Sequence, residues 1–204
     1  MTDVVMGEDG FARCGWGSSS PEYRAYHDNE WGRPVGDERV IYEMVCLEGF
    51  QAGLSWSTIL RKRDGFRAAF ANFDPVAVSR FDDDDIDRLL GDREIVRNRA
   101  KIVATINNAR ATLELRDEGT SLPAVVWSHT ARPQHERASL GDLPAETPES
   151  KALSKQLRDR GFAFVGPTTV YSAMQAVGVV NDHLRGCHWR EVADGERASF
   201  IVPS

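Results

Sequence analysis

Two pairs of metal-ligand side chains stand at opposite ends of this sequence, and any fold that unites them must bring those ends together. Cys14 and His27 lie in CGWGSSSPEYRAYH with twelve residues between them, and His183 and Cys187 lie in HLRGC, one helical turn apart. A Cys/His pair at each end suggests one Cys2His2 zinc site, which would pin an N-terminal segment otherwise free to fray. No single spacing here is diagnostic. Zinc motifs usually keep both halves within roughly 15–25 residues, whereas about 160 residues separate these pairs.

A chain of 204 residues allows one compact domain, or two small lobes sharing an interface. Three cysteines argue against a disulfide framework; two stand with histidines, and Cys46 in IYEMVCL reads as core. No apolar run approaches the roughly 20 residues that span a bilayer. The acidic start MTDVVMGEDG lacks the basic-then-apolar profile of a signal peptide, so a cytoplasmic protein is expected. The formal charge of −6 lends no support to nucleic-acid binding, but a whole-chain total can hide local fields. RKRDGFR (61–67) carries four positive charges against one negative, and Arg93, Arg97, Arg99, Lys101 and Arg110 follow in one segment. The run DDDDID at 82–87 reads as a solvated helix start.

Helix signals recur along the chain and strand alternation does not, which predicts an all-α fold of eight or so modest helices. Asp37 can cap ERVIYEMVCLEGF, and Ser55 can cap WSTILRKR. Asp74-Pro75 and Thr147-Pro148 are caps followed by proline at the first helical position. Ile95, Ile102, Val103, Ile106, Ala109 and Leu113 describe a long amphipathic helix between the two. Gly161 stops the helix that Pro148 opens, and Pro167 begins another that ends at Gly178. The polar, proline-containing stretch 128–148 is the one long loop.

Three constellations can carry chemistry. Glu48 shares a helix face with Ile41, Met44 and Val45, where an unpaired carboxylate costs several kcal/mol or takes up a proton; alternatively it falls at the helix end and reaches water. Gln51 and Trp56 follow it closely. Trp16, Tyr23, Tyr26 and Trp31 crowd into sixteen residues among Gly15, Gly17, Pro21, Gly32 and Pro34. Such rings suit a planar or cationic base, or else a small aromatic core around the metal. Finally, RGFAFVGPTTVYSAMQAVG reads as helix, glycine turn and helix, a hairpin whose second helix offers its positive end to a phosphate.

Together, CGWGSSSPEYRAYHDNEWGRP, MVCLEGFQAGLSW and GFAFVGPTTVYSAMQAVGVVNDHLRGC closely resemble the DNA-3-methyladenine glycosylase I family, from about Arg13 to Cys187. The resemblance implies a helix-hairpin-helix glycosylase fold, a structural zinc on Cys14, His27, His183 and Cys187, and removal of 3-methyladenine from alkylated double-stranded DNA. It places the base-pocket carboxylate, read as catalytic, on Glu48 and pocket aromatics on Tyr26 and Trp56, with Trp16 and Tyr23 nearby. Gly161, Gly166 and Thr168 would then meet the DNA backbone. His188 could compete with Cys187 as a ligand, but the HLRGC spacing favours Cys187. Elsewhere in the superfamily a catalytic aspartate follows the hairpin; this family is thought to lack it in that role, which leaves Asp182 open. Residues 1–12 are expected to be a disordered extension, 13–190 one catalytic domain of two helical lobes, and 191–204 a tail.

The implied reaction is base flipping and hydrolysis of the N-glycosidic bond, leaving an abasic site. No lysine lies in the hairpin or its second helix, consistent with a monofunctional enzyme without lyase chemistry. The absence of heptads favours a monomer. On this reading the metal is a closed clasp remote from the chemistry. Two rivals are a zinc-stabilised DNA-binding module, which leaves Glu48 unexplained, and a zinc hydrolase or deaminase, which would need an open coordination position.

Overall fold

The computed structural model describes residues 3–130 and 136–203. Its described residues form α1 (Pro21–Asn29), α2 (Glu38–Gln51), α3 (Trp56–Arg61), α4 (Arg63–Ala69), α5 (Pro75–Val78) and α6 (Asp83–Gly91), then α7 (Arg99–Asp117), α8 (Leu122–Trp127), α9 (Pro148–Asp159), α10 (Pro167–Ala176) and α11 (His188–Ser199). The fold is helical as expected, with more and shorter helices than periodicity suggested. The expected caps are in place: Asp37 accepts from Val40 N–H, Ser55 from Thr58, Asp74 from Val76 and Thr147 from Ser150. Asp82 accepts from Asp84 and Asp85 N–H, so the acidic run does open a solvated helix. WSTILRKR does not stay one helix, because Lys62 leaves helical geometry (φ −98°, ψ 1°) and separates α3 from α4.

α2 lies at the centre, with ten of its fourteen residues buried, packed against α10, α7, α8 and α3. One side of the core is a run of rings in which Phe50, Phe66, Phe70 and Phe73 follow at centroid spacings of 4.6, 6.4 and 5.7 Å. α7 begins later than its apolar periodicity implied, after Asn98 accepts from Lys101 N–H. Its buried face includes Asn108, which is 2% exposed. Asn108 donates to Ala163 O (3.2 Å) and accepts from Ala163 N–H (2.8 Å), fastening the loop between α9 and α10 to the core.

Both expected chain-end segments are corrected. Residues 3–12 are not disordered: β1 (Val4–Met6) pairs antiparallel with β2 (Ala12–Cys14), matching Val4 to Cys14 and Met6 to Ala12. The turn is closed by Gly7 N–H on Phe11 O (2.9 Å), and Arg13 holds Asp9 across it (2.6 Å). Three residues per strand are too few for alternation to register in the sequence. At the other end, the expected boundary at 190/191 falls inside α11, and the Phe200 ring packs against Trp127 with centroids 4.5 Å apart. In the long loop, residues 131–135 lie outside the described residues. Leu140 N–H, further along it, donates to Asp3 at 2.9 Å. Among the described residues no helix is long and apolar enough to cross a membrane.

Replacing Asn108 by Ala removes both partners of Ala163 at once. The expected loss is about 1–3 kcal/mol, readable as a lower urea midpoint at unchanged slope, with hydrogen exchange rising first between residues 160 and 166.

Candidate active site and metal cluster

The four ligand atoms predicted from the chain ends do converge. Cys14, His27, His183 and Cys187 are all buried, and their ligand atoms lie within 4.8 Å of one another. Sγ of Cys187 is 3.6 Å from His27 Nε2 and 3.6 Å from His183 Nδ1, and Cys14 Sγ is 3.8 Å from His183 Nδ1. Tetrahedral coordination with metal–sulfur bonds of about 2.3 Å and metal–nitrogen bonds of about 2.0 Å sets sulfur–nitrogen edges near 3.5 Å, so these spacings fit an ion. The outer ring nitrogens fix the inner ones. His27 Nδ1 faces the Asp28 carboxylate (2.8 Å) and His183 Nε2 faces the Trp31 carbonyl (3.0 Å). Both partners only accept, so each imidazole donates outward and turns a lone pair toward the sulfurs. Asp28 is itself held by Arg13, and Leu184 N–H donates to Cys14 Sγ. Between the two thiols, Cys14 and the two imidazoles hold Cys187 well below the usual range, while Cys187 and burial push Cys14 up. The cluster can hold a metal ion. His188, considered as a competing ligand, is exposed and packs against Phe11 instead (ring centroids 4.5 Å apart, tilted by 41°).

The cluster is not remote from the aromatic segment. Trp16 meets His27 edge-on at 5.1 Å and Trp31 at 4.9 Å, and Trp31 meets His183 at 4.7 Å. Gly17 is obligatory at this contact, since a Cβ there would stand 2.6 Å from the His27 ring. On the far side of the same rings opens a cavity of about 450 Å³. Its wall includes Trp16, Tyr23, Tyr26, Glu48 and Trp56, so all five pocket residues expected from the sequence are brought together. Tyr26 and Trp56 stand 5.3 Å apart, tilted by 46°. Trp31, Gln51, Ser172 and Gln175 complete much of the lining, and Leu143 reaches it from the long loop. Ser172 and Gln175 escaped the sequence reading. Their signal was two polar residues three apart, and so on one face, among the apolar Ala173, Met174 and Ala176 of α10.

Glu48 is 5% exposed, and its Oε2 has no hydrogen-bond partner among the described residues; neither has the buried Trp56 Nε1. The alternative that Glu48 reaches water at the helix end is therefore excluded. Burial pushes its carboxyl from an ordinary value near 4.5 up to about 8. An empty pocket at neutral pH thus holds mostly the protonated acid, and a cation entering it would draw the proton off. Burial likewise raises Tyr26, keeping its phenol neutral.

The hairpin between α9 and α10 is present. Gly161 takes φ +82° and ends α9, a conformation costly for other residues. Gly166 has φ −63° and caps α10 without a side chain, leaving the first-turn N–H groups beside the exposed Thr168 open to an acceptor. Sequence reasoning missed Phe164, held at φ +57° and 39% exposed at the hairpin tip. Asp182 is 1% exposed and lies outside the cavity lining.

A mainly helical chain with a glycine-turned hairpin and an aromatic pocket enclosing one unpaired carboxyl has the outline of a base-excising DNA glycosylase. The chain belongs to the methyladenine glycosylase family, whose pattern matches residues 16–191. It is 52% identical over 177 residues to DNA-3-methyladenine glycosylase 1 of Escherichia coli strain K12, covering 86% of this chain and 95% of that protein. A crystal structure of 3-methyladenine DNA glycosylase I matches with a TM-score of 0.83 at 52% identity, covering 86% of this chain and 98% of that one. The Staphylococcus aureus enzyme, solved to explain its recognition of 3-methyladenine, matches with a TM-score of 0.83 at 34% identity, covering 87% and 96%.

The buried carboxyl gives a pH signature in the free protein. Between pH 4.5 and about 8 the unfolded chain has lost a proton that the native state keeps. The Glu48 contribution to stability therefore falls as pH rises through that window and is level above it. Glu48→Gln should match the parent in urea near pH 4.5 and exceed it by roughly 4 kcal/mol at pH 8, most of what the carboxyl's rise from 4.5 to about 8 is worth at about 1.4 kcal/mol per pH unit. A constant difference across that range contradicts the assignment.

Proposed function

We propose that this protein excises 3-methyladenine from alkylated double-stranded DNA in the cytoplasm, leaving an abasic site. The observation that carries the reading is the unpaired Glu48 carboxyl inside a ring-walled cavity of about 450 Å³, room enough for a flipped purine. A base within the duplex is out of reach, so the nucleotide is flipped into the pocket at a cost of a few kcal/mol. Backbone N–H groups at the start of α10, with Gly161, Gly166 and Thr168 shaping the hairpin, take the phosphates and carry no sequence information. N3 methylation makes adenine cationic and a good leaving group. Tyr26, Trp56, Trp16 and Tyr23 offer their faces to that cation, and Glu48 ionises as the base enters and accepts its hydrogen bond. The bond from C1′ to the base breaks with its electron pair going to the base, which leaves neutral. Water adds to C1′ and releases a proton. Among the described residues the lining includes no lysine, which supports a hydrolytic reaction without a lyase step.

The ion we assign to the four-ligand cluster is Zn²⁺, because two thiolates and two imidazoles in a closed tetrahedral set suit it and leave no position for substrate. Bound there it supplies structure, tying β2 and α1 to the segment before α11. That closed set also argues against the zinc hydrolase reading, and the unpaired Glu48 argues against a pure binding module.

Incubation with methylated DNA tests the reading. The protein should release free 3-methyladenine, and Glu48→Gln should reduce the rate by about a hundredfold or more with its fold intact. Full activity in that variant removes the carboxylate from the mechanism. Chelation, or Cys14→Ser, should lower the melting temperature and weaken 3-methyladenine binding together, because His27 and His183 support the Trp16 and Trp31 rings. Stability lost with unchanged base affinity contradicts that coupling.

A further inference from the structure

Asp182 follows the hairpin yet has no free face. Its Oδ1 accepts from Arg137 Nε (3.1 Å), and its Oδ2 accepts from the Tyr171 hydroxyl and from Gln175 Nε2 (2.8 Å). A buried carboxylate holding three donors has little hydrogen-bonding capacity left to orient water. What it does control is Gln175. An amide side chain can present either end to a cavity, but a carboxylate only accepts, so Nε2 must face Asp182 and Oε1 is left over. Gln175 lines the base pocket, and among the described residues Oε1 takes no hydrogen bond from the protein. The main chain is clamped too, with Gly32 N–H on the Gln175 carbonyl at 3.0 Å.

We propose that Asp182 is a positioning residue: it aims Gln175 Oε1 into the pocket, where that oxygen accepts a hydrogen bond from the exocyclic amine of the flipped base. The assignment rests on the glycosylase reading above and adds a specificity determinant to it. A base carrying a carbonyl in place of the amine would set two acceptors against each other, a mismatch that costs affinity. Asp182 thus occupies the region where relatives in the superfamily carry a catalytic aspartate, but acts through its neighbour.

Titration of the pocket tryptophan fluorescence with free 3-methyladenine and with 3-methylhypoxanthine, its carbonyl counterpart, tests this. Gln175→Met should weaken 3-methyladenine about tenfold, the scale of one hydrogen bond, and tighten 3-methylhypoxanthine, whose clash of acceptors it removes. Asp182→Asn puts a donor where Gln175 or Arg137 needs an acceptor. It should weaken 3-methyladenine by a similar factor and add nothing in the Gln175→Met background. Losses that multiply in the double variant overturn the proposal, because a merely structural aspartate acts independently of residue 175. Should Asp182→Asn fail to fold, Gln175→Met decides alone, and equal loss for both bases, or none, overturns it. If the unaltered protein binds no 3-methyladenine, the glycosylase reading falls with it; binding with multiplying losses removes this assignment only.

Discussion

The convergence of two thiols and two imidazoles from opposite chain ends is the constraint on which the rest of the site depends. Tyr26 and His27 are consecutive on α1, and successive helical side chains point about 100° apart. One can therefore face the cavity only if the other faces the ligand cluster. Trp31 repeats the arrangement within a single residue, its ring lining the cavity while its carbonyl accepts from His183. A shift of the ligand rings would be felt one ring later in the pocket wall, because packed aromatic contacts have little slack.

Against that rigid wall stands a helix with two buried glutamates and two different solutions. Glu43 and Glu48 both lie on α2, at 3% and 5% exposure. Glu43 is neutralised by Arg67, whose Nε donates at 2.9 Å. Glu48 has an oxygen with no partner. A structural carboxylate is expected to look like the first, since an orphaned buried polar group costs free energy that a Leu or Gln would avoid. The second kind persists where a ligand completes it, and the unpaired indole N–H of Trp56 in the same lining points the same way.

Much of this was legible in the sequence because it was written in local chemistry. Cap residues announce their own hydrogen bonds, and Asp37, Ser55, Asp74 and Thr147 accept as expected. The ligand set was legible because few other roles suit two Cys/His pairs. What escaped reading depends on partners distant in the chain. Asn108 looks like an ordinary polar residue in RNRAKIVATINNAR until Ala163 is placed beside it. The β1–β2 hairpin is too short to alternate, and Arg13, which pairs with Asp9 across its turn and with Asp28 on α1, links it to partners the sequence does not reveal. α1 was hidden by its own rings: Ser20 and Pro21 signal a helix start, but the aromatic crowding drew attention to function instead of form.

The raised Glu48 value also says how a pocket can favour a cation without holding a permanent buried charge. With a carboxyl near 8, the ionised form at pH 7 lies only on the order of 1 kcal/mol above the acid. A charge-assisted hydrogen bond contributes about 1.5–3 kcal/mol, and a desolvated cation over rings about 2 kcal/mol more. A cationic base therefore outweighs the cost of ionisation. A neutral base of the same shape offers no such return and meets the protonated acid. A carboxyl titrating near 4.5 would keep its charge whether or not a cation were present, and so would register the base's charge less sharply. Burial of Glu48 among Tyr26 and Trp56 sets the threshold, and the ligand cluster behind Trp16 and Trp31 keeps that burial in place.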